Sequence, residues 1–215
     1  MVRAFLFDLD GTLIDSKSDL VNSVNFMLRE MKRDILPLET VAGYIGHGAP
    51  KLIADALGNG ATDRDRKLGL EIFLAHYEKH SLDATRAYPG VIEGLEALQD
   101  YPLALLTNKP LKMSVEILEG LELRKFFRHV YGGDSFPAKK PDPAGAQIIL
   151  RDLDARPEEA AMVGDSDVDV ETARNAGMLA IHVNYGFGQY ARDAHPADLY
   201  VDSLQEIAAL ALPSH

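Results

Sequence analysis

Phe5-Leu6-Phe7-Asp8-Leu9-Asp10-Gly11-Thr12-Leu13 is an apolar run that stops on two carboxylates and a glycine. The run is long enough for one buried strand, and its polar end predicts chemistry there, because ligands of an open parallel sheet sit beyond the carboxyl ends of its strands. Two acids separated by one residue can converge on a single cation. Gly11 permits a sharp turn, since glycine tolerates positive φ. In isolation the same residues also fit a hairpin, with Asp10-Gly11 as the two-residue turn between 5–9 and 12–14.

The rest of the chain bears on that choice. From Val91 onward, apolar runs at 103–106, 130–132, 161–163, 179–183 and 199–201 alternate with helical stretches at 91–99, 111–121, 143–153, 167–176 and 204–210. Such alternation predicts an α/β fold with a doubly wound parallel sheet covered on both faces, which the isolated first strand can join. Residues 16–84 read differently. Ser16 followed by Asp19 resembles a capping pair, and Leu20, Val24, Met27, Leu28 and Met31 recur at helical spacing. Past Pro37, short helices are expected at 39–44, 49–57 and 63–80, the last with a stripe of Leu70, Phe73, Leu74 and Tyr77. No strand pattern occurs here, so 16–84 is expected to be a small all-helical domain inserted after the first strand. The core domain is then 1–15 plus 85–215, with Tyr88-Pro89-Gly90 as the return linker. Gly46-His47-Gly48-Ala49-Pro50-Lys51 reads as a loop that can approach a ligand closely, and the tail Pro213-Ser214-His215 as frayed.

Composition narrows the function classes. With 215 residues, 47% hydrophobic and 26% charged, the chain can bury a substantial core. A formal charge of −11 argues against a broad nucleic-acid or anionic-membrane surface while leaving room for a local basic pocket. Cysteine is absent, which rules out disulfides, thiolate catalysis and cysteine metal sites. The first apolar run is cut at Asp8, too early for a signal-peptide core, and no later run could span a bilayer, so a cytoplasmic location is expected.

Polar clusters fall where strands are expected to end: Thr107-Asn108-Lys109 after 103–106, Lys139-Lys140-Pro141-Asp142-Pro143 beyond 130–132, and Gly164-Asp165-Ser166-Asp167-Val168-Asp169 after 161–163. One crevice can collect them all. Taken singly, Thr107-Asn108 could cap the next helix and the lysines could be solvated. Asp8, Asp10, Asp165 and Asp169 can share a cleft only if a cation offsets their repulsion, and oxygen ligands suit magnesium. A calcium loop starting at Asp165 fails, with Val170 where glycine is needed and Ala176 where glutamate is needed. His76 and His80 lie one helical turn apart, but no third zinc ligand has the required spacing.

Phe7-Asp8-Leu9-Asp10-Gly11-Thr12, Leu106-Thr107-Asn108, Lys140-Pro141-x-Pro143 and Val163-Gly164-Asp165-Ser166-x-x-Asp169, in this order, resemble the four motifs of the haloacid-dehalogenase-like hydrolase superfamily. The match extends over essentially the whole chain, and its details most resemble the phosphoglycolate phosphatase branch, with a Rossmann-like core and a helical cap. The resemblance implies that Asp8 is the nucleophile that becomes an aspartyl phosphate and Asp10 the acid, then the base. It implies magnesium held by the Asp8 side chain, the Asp10 main-chain carbonyl and Asp165, with Asp169 direct or through water. Thr107 and Asn108 would donate to phosphate oxygens, and Lys140, not its neighbour Lys139, would balance Asp8 and the transferring group. The cap loop, through Gly46, His47, Gly48 and Lys51, would meet the leaving portion of a small phosphorylated metabolite such as 2-phosphoglycolate. The chain would act as a monomer or homodimer.

Rival functions fit less well. A dehalogenase would lack an acid at position 10. A sugar-phosphate mutase shares the fold, metal and intermediate, but the 46–51 loop and Thr107-Asn108-Lys109 look more like the phosphatase branch. A phosphorylated signalling receiver also combines acids, a threonine and a lysine, and the long helical insertion disfavours it.

Overall fold

Ala4–Phe7 forms β1, buried along its whole length. The computed structural model describes residues 2–211, and the tail Pro213-Ser214-His215 lies outside them. After β1 the chain makes β2 (Ile14–Asp15), which pairs antiparallel with β3 (Arg86–Ala87). The other strands are β4 (Leu103–Leu106), β5 (His129–Tyr131), β6 (Ala160–Gly164), β7 (Leu179–Val183) and β8 (Leu199–Val201). They join β1 in a parallel sheet of order β5-β4-β1-β6-β7-β8. β1 is central, with Phe5 opposite Leu103 on one side and Ala161 on the other.

Both faces of this sheet are apolar, which is why its strands read as continuous hydrophobic runs. Phe5, Phe7, Leu105, Val163 and Ile181 enter one core together with Leu95, Ile117 and Ile207. Ala4, Leu6, Ala104, Met162 and Ala180 enter another with Ile149, Leu150 and Ala173. Side chains alternate across a strand, so each strand feeds both cores. The helices that cover them are α5 (Val91–Ala97), α6 (Leu111–Gly120), α7 (Ala144–Asp152), α8 (Asp167–Ala176) and α9 (Leu204–Ala211), with α1 to α4 lying earlier in the chain.

Those four helices, α1 (Lys17–Glu30), α2 (Leu38–Ala42), α3 (Ala49–Leu57) and α4 (Asp63–His80), lie between β2 and β3. No helix among the described residues is long and apolar enough to cross a membrane. The short β2–β3 ladder, two strands through which the chain leaves and re-enters the sheet domain, was not visible in the residue pattern. The hairpin reading of Asp10-Gly11 is wrong: β1 pairs with β4 and β6, and Gly11, at φ +82°, opens a turn whose Leu9 carbonyl accepts from the N–H of Leu13 and Ile14.

The Ser16/Asp19 capping pair is also corrected. Ser16 is the residue before α1 but makes no side-chain cap; its hydroxyl donates instead to Asp10 Oδ1 at 2.5 Å. Asp19 is 2% exposed and accepts from the N–H of Ala84 (3.0 Å), the N–H of Thr85 (2.8 Å) and the Thr85 hydroxyl (2.8 Å). It thereby ties the first helix of the insertion to the segment that returns from it. Asp19→Ala should cost about 2–4 kcal/mol in urea unfolding, because it leaves buried donors without an acceptor. Loss of under about 0.5 kcal/mol would show that this junction does not hold the two parts together.

Candidate active site

The carboxyl ends of adjacent strands supply the polar residues. β1 delivers Asp8 and Asp10, β4 delivers Thr107, Asn108 and Lys109, and β6 delivers Asp165, with Asp169 one turn into α8. Lys140 reaches in from the long loop after β5. Its Nζ lies 2.9 Å from Asp8 Oδ1 and 2.7 Å from Asp169 Oδ1, with the lysine side chain 1% exposed. The ammonium lies directly against Asp8 Oδ1, a buried oxygen.

Asp8, Asp165 and Asp169 each place a carboxylate oxygen within 4.8 Å of the others, all three residues buried. One ammonium faces three acids. Burial pushes the Asp8 carboxyl up to about 6, against the pull of Lys140 and with the help of Asp169 and Asp10. Burial likewise lifts Asp165 well above the carboxylate range, and Asp169 and Asp8 add to it. Burial alone would depress Lys140, but Asp169 and Asp8 outweigh it and hold the ammonium above its ordinary value. Hard oxygen donors on three clustered buried acids, with one lysine against them, fit a magnesium ion.

Neighbouring loops orient these acids. Asp165 Oδ2 accepts from the main-chain N–H of Phe187 (3.0 Å) and Gly188 (2.6 Å), on the loop after β7. Asp169 Oδ2 accepts from the Ser166 hydroxyl (2.6 Å) in the capping box of α8, while its Oδ1 takes Lys140. Both Asp169 oxygens are thus engaged within the protein.

Asp10 is held by two groups that the sequence reading did not assign to it, one of which is set in turn by a third. Ser16 donates to Oδ1, and Lys109 Nζ lies 2.8 Å from Oδ1 and 3.0 Å from Oδ2. Lys109 also donates to the Tyr77 hydroxyl of α4 at 2.7 Å. Burial opposes the Lys109 charge, but Asp10 and Tyr77 outweigh it and raise its pKa; burial pushes the Tyr77 phenol up to about 12. The only signals for Lys109 were its place next to Thr107-Asn108 and, for Tyr77, the apolar stripe it was counted in.

The insertion closes the site from above. The Asn108 side-chain amide donates to the Gly46 carbonyl at 2.9 Å and the Lys140 carbonyl at 3.1 Å, and its oxygen accepts from the Lys140 N–H at 3.0 Å. A Cβ on Gly48 would stand 2.9 Å from the Asn108 carbonyl oxygen and 3.0 Å from Lys139 Nζ, so only glycine fits this approach. Gly46 and Gly48 line the cavity over Asp8 and Asp10, whose roof is Leu20, Ile45, Leu52 and Phe73. His47 and Lys51 are not brought to it. His47 is exposed, and Lys51 is an exposed partner of Asp55 one turn along α3. Nor does Thr107-Asn108 cap α6, whose first N–H, on Leu111, bonds Asp134.

The profile of the haloacid dehalogenase-like hydrolases matches residues 5–183. A phosphoglycolate phosphatase of Pseudomonas syringae pv. syringae is 40% identical, over 95% of this chain and 78% of that protein. One from Nitrosospira multiformis is 39% identical, over 97% of this chain and 95% of that protein. Among solved structures, a predicted phosphoglycolate phosphatase from Haemophilus somnus 129PT superposes with a TM-score of 0.92 at 30% identity, covering 98% of each chain. The chain belongs to the haloacid dehalogenase-like hydrolase family.

The charge imbalance carries a stability consequence. Lys140→Met should destabilise the magnesium-free protein by about 3–5 kcal/mol, because the remaining buried carboxylates lose their cation, while Lys139→Met should stay within about 0.5 kcal/mol. Urea unfolding of both variants in the presence of a chelator checks the ranking. Equal effects would mean that Lys140 is not what neutralises the acids.

Proposed function

We propose that this chain, a phosphoric monoester hydrolase, acts on a small phosphate monoester through an aspartyl phosphate on Asp8, with 2-phosphoglycolate as the substrate. The observation that carries the reading is a buried carboxylate, Asp8, on the wall of a cavity it shares with Asp10, Thr107 and Asn108, with Lys140 against its rear oxygen. The names of the relatives support the substrate, and the insertion residues that share the cavity lining support its small size.

In the reaction an Asp8 oxygen attacks phosphorus and the bond to the leaving oxygen breaks. The Asp10 carboxyl gives its proton to that oxygen, and the alcohol departs. Asp10 then takes a proton from water, the water oxygen attacks phosphorus, and inorganic phosphate leaves with Asp8 restored. The Thr107 hydroxyl and the main-chain N–H of Asn108 would hold phosphoryl oxygens, since the Asn108 side chain is taken by Gly46 and Lys140. Lys140 lies against the charge that builds up during transfer. The Asp8 and Asp165 side chains and the Asp10 carbonyl would hold magnesium, which supplies the positive charge that Lys140 alone cannot, with Asp169 behind them.

Asp8→Asn should abolish phosphate release while circular dichroism stays native, because an amide offers no attacking oxygen anion; turnover near the parent level would remove Asp8 as nucleophile. Activity should vanish on exhaustive chelation, return with magnesium and return poorly with calcium, whose looser coordination misplaces Asp8. Full activity after chelation would rule the metal out. Lys140→Ala should lose about 10²-fold or more in kcat and Lys139→Ala little, the reverse ranking placing the wrong lysine in the site. Phosphate release across a panel of small esters tests the substrate, and a kcat/KM for 2-phosphoglycolate below that of sugar phosphates would reassign it.

A further inference from the structure

We infer that Lys109 is the positioning residue for Asp10, and that Tyr77 of the helical insertion sets Lys109 in place. The inference rests on the proposed role of Asp10 as the acid that protonates the leaving oxygen. An ammonium has three protons to give. Here both Asp10 oxygens, at 2.8 and 3.0 Å, and the Tyr77 hydroxyl, at 2.7 Å, surround it. The Lys109 side chain is 4% exposed, and the Tyr77 ring lies 4.6 Å from its Nζ.

Ser16 holds Asp10 Oδ1 from another direction at 2.5 Å. The carboxyl is therefore bracketed between the hydroxyl at the start of α1 and the ammonium from the end of β4, and cannot swing about its χ1 without giving up one of them. Without Lys109, a single hydroxyl would hold it. A buried ion pair adds little net stability, because desolvation offsets the attraction, so stability alone does not account for a lysine here. What the pair does achieve is a fixed orientation for a side chain on the cavity wall. Tyr77 and Gly46 both come from the insertion and bond consecutive residues, Lys109 and Asn108. Seating the insertion on the core and aiming the acid are thus linked through one short loop.

A competing role is recognition. Lys109 lines the cavity, and its charge could instead receive a carboxylate on the substrate. Ester chemistry separates the two. kcat/KM reports the steps up to cleavage of the bond to the leaving oxygen, and an alkoxide needs a proton from Asp10 whereas p-nitrophenolate departs without one.

The experiment measures kcat/KM for the magnesium-loaded parent, Lys109→Met, Tyr77→Phe, the double variant and Asp10→Asn. The substrates are 2-phosphoglycolate, 2-hydroxyethyl phosphate and p-nitrophenyl phosphate. Lys109→Met should lose about 10²-fold on both alkyl esters and no more than about 3-fold on the aryl ester. Tyr77→Phe, which keeps the buried pair, should show the same ranking with a smaller loss. The double variant should match Lys109→Met, because Tyr77 acts through Lys109.

A loss confined to 2-phosphoglycolate would overturn the inference in favour of carboxylate recognition, and equal losses on all three esters would overturn it in favour of a general electrostatic or structural role. Asp10→Asn separates the two levels. If it spares the aryl ester as expected while Lys109→Met does not, only the inference fails. If Asp10→Asn itself shows no ester dependence, the assignment of the acid fails, and the inference with it.

Discussion

Three buried carboxylates around one ammonium is the constraint on which the site depends. Asp8, Asp165 and Asp169 cluster at the carboxyl end of the sheet, and Lys140 contacts Asp8 and Asp169, where burial weakens the screening of their repulsion. Each acid needs a reason to stay, and the surroundings provide different ones. Asp169 is absorbed into a helix capping box, Asp165 is held by two main-chain N–H groups, and Asp8 has the Lys140 ammonium against one oxygen.

The sheet makes this convergence possible. β1 sits between β4 and β6, so the ends of adjacent strands lie one strand spacing apart and their following loops share one crevice. The face toward one core carries alanines, Ala4, Ala104, Ala160 and Ala180, where the other carries Phe5, Phe7 and Leu105. Large and small side chains on opposite faces of the same strands let helices cover both sides.

The helical insertion lines the cavity and bonds the residues at its edge. Its contacts with the core fall on Asn108 and Lys109, the residues that follow the strand end, and Gly48 makes the approach possible by having no side chain. Asp19 anchors the insertion at its root, and Leu20, Ile45, Leu52 and Phe73 give the cavity an apolar wall opposite its polar residues.

Much of this was legible in the residues alone. Continuous apolar runs ending in acids, Thr-Asn or Gly-Asp, separated by helical periods, determined the parallel sheet, the helical insertion and the grouping of Asp8, Asp10, Thr107, Asn108, Lys140, Asp165 and Asp169, because strand and helix periods and the direction of parallel strands are local properties. The choice of Lys140 over Lys139 came from the resemblance of Lys140-Pro141-x-Pro143 to a family motif. Only the tertiary structure decided where Ser16, Asp19, Tyr77 and Lys109 spend their hydrogen bonds, and that His47 and Lys51 are exposed outside the cavity lining. Ser16 and Asp19 fit a cap by spacing yet bond partners 6 and 65 or 66 residues distant in sequence, and Lys109 meets Tyr77 across 32 residues and Asp10 across 99. A hydroxyl or ammonium goes to whichever acceptor folding brings within about 3 Å, and that distance is set by how the insertion packs on the sheet, which no local pattern encodes.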